Sequence, residues 1–522
     1  MDINQLPVEL LIKIFSHLPT YKEVALVNRR FHGSTCNMNS CLRIDNRFFE
    51  RFVHHNVLDS NCLQSILASE RKITKVEIGC AQLHYFEYQA QRQFISSLAS
   101  IVACFSASIK SLTYADMIVD ESTFLHILTL APNVEHLELQ NLTIYTDDQP
   151  SKKRRLCNNN KDLNLKKLKS LSISGCDKEF VGMINRLPVG VLTHLKISDT
   201  NWYMVNDVLS RQLKIKDLKL KCISGDVGAM DNFDKLILES LELHGYKMNG
   251  DTVAAFLSTQ TGLKSATVTA SAVDGQLMAA LTNNVELEFL SLDVTDTPLG
   301  FFAELRKLKK LKDLALQLYD EEGTTKLMEL VRLDNSSIRG LRLNGLFSMP
   351  VDLCEALAKS APHLTLLHVC PITFLNSAEL DAIMKHFNFV EILKVNAMGK
   401  PLLGEAVHIF NANLNELAIR GDVGEDGLLH TPWLTKLSAS YPNLRKLNLI
   451  VEDQTEQTNS IQIEPILSGF TKLESLSMVT NLSELIIDDL DCLQHYKNRL
   501  KFVSLDSGDG RTTIIDELFV ES

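Results

Sequence analysis

The chain is patterned on a hexamer whose first, fourth and sixth positions are apolar, with mostly polar residues at the third and fifth. Clear copies begin at 134 (VEHLEL), 168 (LKSLSI), 192 (LTHLKI), 215 (IKDLKL), 238 (LESLEL), 287 (LEFLSL), 311 (LKDLAL), 338 (IRGLRL), 390 (VEILKV), 444 (LRKLNL) and 473 (LESLSM). Weaker copies begin at 73, 109, 263, 364, 414 and 500, which makes seventeen. The second half of each hexamer alternates, as in Leu218-Lys219-Leu220. That is the period of a strand with one buried face. Between hexamers the apolar spacing turns helical, with Leu353, Leu357 and Ala361 four residues apart, or Leu125, Ile127, Leu128 and Leu130 ahead of Pro132. One strand and one helix cannot bury a core alone, so neighbouring repeats must stack. An all-helical repeat is the structural alternative, and the alternation in every rung argues against it.

Most hexamers start 23 to 29 residues apart, and a repeat of that pitch built on Leu-x-x-Leu-x-Leu resembles the leucine-rich repeat. The resemblance implies an α/β solenoid, a horseshoe with a parallel inner sheet and outer helices. It is expected over 71–522, C-terminal cap included. LKSLSISGC, ending at Cys176, resembles the cysteine-containing subclass, although most copies lack the usual Asn or Cys after the hexamer.

The first 45 residues carry no hexamer. Pro7 suits a helix start and Pro19 a stop. Between them Leu10, Leu11, Ile14, Phe15 and Leu18 form one apolar stripe, widened by Val8 and Ile12, too broad for a solvated helix. The order Leu6-Pro7, Glu9-Leu10, Ile14-Phe15, Leu18-Pro19, Leu26-Val27 and Arg29-Arg30-Phe31 resembles the F-box, with a shorter stretch between Pro19 and Leu26. The domains expected are an F-box over 1–45, a helical linker and N-terminal cap over 46–70, and the repeats from 71. By this resemblance Leu6, Pro7, Leu10, Ile14, Phe15, Leu18, Pro19, Leu26, Val27 and Phe31 form the surface for a Skp-family adaptor, with its supporting core. Through that adaptor come cullin and RING subunits, and the chain is a non-catalytic substrate receptor of an SCF-type ubiquitin ligase. The rival readings are a plain repeat scaffold whose N-terminal helices only cap it, and a repeat-containing enzyme regulator.

Composition adds mainly exclusions. The net charge of −11 is a poor footprint for nucleic-acid binding. No apolar run reaches the length of a membrane span, and MDINQLPVELLIKIF lacks the basic start and cleavage site of a secretory signal. Eleven scattered cysteines without a CxxC pair give no zinc or disulfide framework and suggest free thiols in a reducing compartment, cytoplasmic or nuclear. Phosphate-loop, HExxH and GxSxG motifs are missing, so neither catalysis nor a cofactor is expected. His136-Leu137-Glu138 imitates the start of a deaminase motif but reads as two solvent-facing residues of a strand.

Lys152, Lys153, Arg154 and Arg155 lie in a long repeat spacing and resemble a nuclear-localisation signal. On the open sheet face the third, fifth and seventh positions sort by sign. His194, Lys196, Lys219 and Lys221 form a basic block around Asp217, Glu242, Asp293 and Asp313 an acidic one, and Arg342, Lys394, Arg420 and Lys446 a second basic one around Glu416. These blocks predict substrate contacts at Lys196, Lys219, Lys221, Arg342, Lys394 and Arg420.

Overall fold

The computed structural model describes residues 40–46, 48, 52–54, 57–69, 71–79, 88–119, 121–144, 163–176, 184, 186–200, 202–223, 233–245, 250–269, 273–295, 297–332, 337–371, 375, 377–396, 411–422, 437–452, 460–461, 464–480, 486–487, 493–496, 499–507 and 512–514. All seventeen hexamers are strands, each covering at least the third to sixth residue. They belong to two compact units, 1–252 and 253–522.

In the first unit Ile73–Gly79, Ser111–Val119, His136–Ile144, Ser170–Ser174, His194–Ser198, Asp217–Lys221 and Ser240–His244 pair in chain order, all parallel. In the second, Ser265–Thr269, Phe289–Asp293, Asp313–Gln317, Gly340–Leu346, Leu366–Pro371, Ile392–Asn396, Glu416–Asp422, Lys446–Glu452, Ser475–Thr480 and Phe502–Ser507 do the same. Thr512–Ile514 lies antiparallel to the last of these.

Pairing is residue for residue: Leu218 lies beside Leu241 and Leu220 beside Leu243. Fourth and sixth positions therefore stack into continuous apolar layers, and these four leucines are buried. Backbone hydrogen bonds fix both ends of each rung. At entry, one carbonyl takes two N–H groups of the next rung: Thr193 accepts from Lys216 and Asp217 (2.8 and 3.1 Å), and Glu288 accepts from Lys312 and Asp313 (2.8 and 3.0 Å). At exit, the eighth residue donates to the seventh of the following rung, as in Gly175 to Ser198, Asp199 to Lys221 and Cys222 to His244.

Val294 and Leu318 make the same exit bond in the second unit without a left-handed residue, while in the first unit the exit coincides with a left-handed turn. Asp116, Asn141, Gly175, Asp199 and Cys222, the eighth residues of five consecutive rungs, all have φ between 47° and 61°. Asp, Asn and Gly adopt this region most readily. At Gly175 a side chain would also collide with the Asn141 carboxamide, which donates to Asp116 Oδ1 at 2.9 Å.

Helices cover the buried face of many rungs. Glu121–Leu130 turns in Phe124, Ile127 and Leu128, and Val351–Ser360 turns in Leu353, Cys354 and Leu357. Gly275–Thr282 is capped by Asp274, whose carboxylate accepts from the Leu277 N–H at 2.8 Å. Elsewhere a 3-10 turn suffices, as at Phe233–Lys235 and Phe301–Lys307.

Polar side chains latch the buried turns. Gln212, three residues ahead of its hexamer, accepts from the Val191 and Leu192 N–H groups and donates to the Pro188 carbonyl. Lys326, on the helix Gly323–Val331, is only 2% exposed. Its ammonium donates to the Val294 and Thr295 carbonyls (2.9 and 2.5 Å) and to the Asp320 carboxylate.

The region ahead of the hexamers differs from expectation. Ser40–Ile44 is a strand parallel to Ile73–Gly79, with Ile44 buried, so the sheet reaches into the segment assigned to the F-box. Leu42 and Ile44 alternate with Cys41 and Arg43 there, a short strand pattern. The linker expected to be helical holds an antiparallel pair, Val53–His54 with Val57–Leu58, before the helix Ser60–Leu67. The β-branched Val53 and Val57 favour this pairing, and Asp59 starts the helix by accepting from the Asn61 and Cys62 N–H groups.

Lys326→Met would leave the Asp320 carboxylate and two carbonyls buried without their cation. The second unit should lose about 3 kcal/mol or more in urea unfolding. Lys359→Met, which removes an exposed partner of Glu355, should leave the midpoint unchanged. Equal, small effects of both would contradict the latch.

Candidate functional site

Because the rungs are in register, outward residues form rows across the open face of the first unit. The third-position row reads Ser111, His136, Ser170, His194, Asp217, Ser240, and the fifth reads Thr113, Glu138, Ser172, Lys196, Lys219, Glu242. One rung, Ser170–Ser174, presents only small hydroxyl side chains: Ser170, Ser172 and Ser174. Its neighbours are longer, with His136 and Glu138 on one side and His194 and Lys196 on the other. A depression of about 420 Å³ opens over these rungs, lined by all of these residues except Ser174, among others.

Its charges are arranged unevenly. Glu242 is a hub, accepting from Lys221 at 2.6 Å and His244 Nε2 at 2.8 Å, with Lys219 at 3.2 Å. Burial pushes the Glu242 carboxyl up, but the hydrogen bonds from Lys221, His244 and Lys219 outweigh it and hold it at about 2. Glu138 accepts from Gln140 Nε2 at 2.7 Å and sits 3.4 Å from the Thr113 hydroxyl. Neither Glu138 nor Lys196 has an ion pair among the described residues. His194 Nδ1 lies 2.8 Å from the Thr193 hydroxyl.

In the second unit the fifth positions Arg342, His368 and Lys394 stand side by side. Arg342 reaches Asp313 at 3.5 Å, and Glu416 takes Lys394 at 2.7 Å and Lys446 at 3.6 Å. Burial, then Lys394 and Arg342, push the His368 imidazole below its usual range, so it is neutral near pH 7. Arg420 lies beside Asn396 and Ile450.

The residues expected to contact a substrate thus fall in separate places. Lys196, Lys219 and Lys221 line the depression of the first unit, while Arg342, Lys394 and Arg420 lie in the second. Sorting by sign does not leave separate blocks of charge. Adjacent rungs stand about 4.8 Å apart, within ion-pair reach, so acidic and basic residues of neighbouring rungs bridge. His136 and Glu138 are outward strand residues, as their alternation predicts. The serine rung and the Glu242 hub escaped the sequence reading, although Ser-Leu-Ser-Ile-Ser at 170–174 already spelled three small outward residues. The residues from Leu6 to Phe31 expected to form an F-box and the basic run from Lys152 to Arg155 lie outside the described residues. Among the described residues no group of three metal-ligating side chains occurs, and no helix is long and apolar enough to cross a membrane.

No protein-family model and no curated protein matches the chain. Among solved structures it is similar to that of a TLR13–ssRNA13 complex, at 18% identity over 90% of this chain and 58% of the other, with a TM-score of 0.44. The chain therefore spans little more than half of that protein. The mouse RP105/MD-1 complex is similar at 14% identity, over 90% of this chain and 78% of the other, with a TM-score of 0.39. An internalin, inlF of Listeria monocytogenes, follows at 15% identity, over 73% and 82%, with a TM-score of 0.30. The fold stands on the rungs themselves, whose hexamer register, parallel pairing and buried layers are those of a leucine-rich repeat.

The Glu242 hub has an acid signature. Its folded carboxyl is depressed, so its contribution is complete above the ordinary carboxyl range near pH ~4.3 and is lost as pH falls toward about 2. Glu242→Gln should lower the stability of the first unit at pH 6, and the gap to the parent protein should close through that window. A gap that stays constant with pH would contradict the hub.

Proposed function

We propose that this chain is the substrate-recognition subunit of an SCF-type ubiquitin ligase. Residues 6–31 would dock on the Skp-family adaptor, and the repeats would hold the protein to be modified. The observation that carries the reading is a pairing within one chain. A segment whose sequence resembles the F-box precedes a repeat array that has its own apolar core and keeps a polar sheet face open. In this role the chain performs no bond chemistry. It holds a target lysine near a charged ubiquitin-conjugating enzyme, and the gain is one of effective concentration.

One observation favours the second reading, a scaffold whose N-terminal segment only caps the repeats. Ser40–Ile44 closes the edge of the sheet, and Ile44 is buried there. A deletion that tests adaptor docking must therefore stop before Ser40.

Leu10→Asp with Phe15→Asp places two charges in the apolar stripe. In pull-downs of the Skp-family adaptor from cells, this variant should lose adaptor and cullin while its thermal unfolding stays at the parent value. Adaptor recovered at parental levels would rule the receptor reading out in favour of the cap.

Replacing Lys152, Lys153, Arg154 and Arg155 by Ala should shift a fluorescent fusion from nucleus to cytoplasm and leave stability within about 0.5 kcal/mol. An unchanged distribution would dispose of the nuclear signal.

A further inference from the structure

Three of the five charges in the fifth-position row of the first unit are ion-paired. Glu77 is held by Arg43 at 2.6 Å and by Lys75, and Lys219 and Glu242 hold each other. Glu138 and Lys196 are the two charges of that row without an ion pair among the described residues. Both are neighbours of Ser172, one on each side. Two strand spacings separate their backbones, about 10 Å, and both line the depression, which extends past them to Ser111 on one side and Glu242 on the other.

Lys196 has a further reason to stand alone. Its cross-strand neighbour is Lys219, and like charges directly opposite are destabilising. Lys219 relieves this by leaning to Glu242 on its other side. The serine rung offers Lys196 no carboxylate in return.

The depression thus has a carboxylate wall, an ammonium wall and a hydroxyl floor. We infer that it binds an extended protein segment carrying one basic and one acidic side chain about 10 Å apart on the same side. The basic group meets Glu138 and the acidic group meets Lys196, each as a charge-assisted hydrogen bond. Ser170 and Ser172 supply hydroxyls to the backbone between them, and their small size leaves room for it. A polyproline-type segment brings residues three apart onto one side at about 9 Å, which fits the walls. A simple anion fits less well. Asp217 lines the same depression beside His194, and one of its carboxylate oxygens is buried without a hydrogen-bond partner.

This inference deepens the receptor reading by naming the class of segment the repeats take. Its test uses no adaptor, so either can fail alone. The probes are acetylated, amidated peptides, Arg-Pro-Pro-Glu, its uncharged counterpart Gln-Pro-Pro-Gln, and Arg-Glu without a spacer. Each carries a fluorophore and is titrated with the full chain at low ionic strength. The spaced charged peptide should bind at least tenfold tighter than the other two. Glu138→Lys and Lys196→Glu, each of which makes both walls the same sign, should each remove that preference. The double exchange, Glu138→Lys with Lys196→Glu, keeps the walls opposite and should restore it. Ser172→Leu, which fills the floor, should abolish binding, with circular dichroism confirming the fold of every variant. The inference is overturned if charged and neutral peptides bind alike or not at all, or if either single reversal keeps the preference.

Discussion

Every feature of the open sheet face that can recognise a partner depends on residue-for-residue register between parallel rungs. A slip of one residue would turn each apolar layer out to solvent and each polar row into the core. Three interactions fix that register. Leucine layers at the fourth and sixth positions fill the interior, a shared carbonyl at each strand entry takes two N–H groups, and an exit bond crosses to the next rung. In five successive rungs of the first unit the chain leaves the strand through a left-handed residue, and Asp, Asn, Gly and Cys stand at that offset.

Register also decides the electrostatics. Outward residues of neighbouring rungs are close enough to pair, so the open face settles its own charges rung by rung. The Glu242 hub and the Glu416 bridge are the clearest cases. Pairs exposed on both sides add little stability each, whereas the half-buried Glu242 gathers three partners. Their consequence is that a partner meets few uncompensated groups. Where the sequence inserts a rung of serines, opposite charges are held two strands apart, and both line one depression of the open face. A binding site here is an interruption in a pattern of mutual neutralisation.

The repeat was legible because strand alternation is a local signal copied seventeen times. Strand positions and buried layers follow from it directly. Three features did not. The strand Ser40–Ile44 is a single short alternation with no hexamer, and only its partner Ile73–Gly79 identifies it. The pair around Val53 and Val57 lies in a stretch whose apolar content suits helix and strand alike. The site itself depends on which residues become neighbours across rungs, and a row of charges read along the chain does not show that Lys219 leans to Glu242. Lys326, a lysine in a helix, gives no sign in sequence that its ammonium is buried against two carbonyls.

The proposed reading is a division of labour, with the N-terminal motif facing the ligase and the repeats facing the substrate. Backbone hydrogen exchange of the full chain, with and without purified Skp-family adaptor, reports on both parts at once. Slowed exchange confined to residues 6–31, with the rungs from His136 to His244 unchanged, is the result this division predicts. Slowing across those rungs, or an N-terminal segment indifferent to the adaptor, would contradict it.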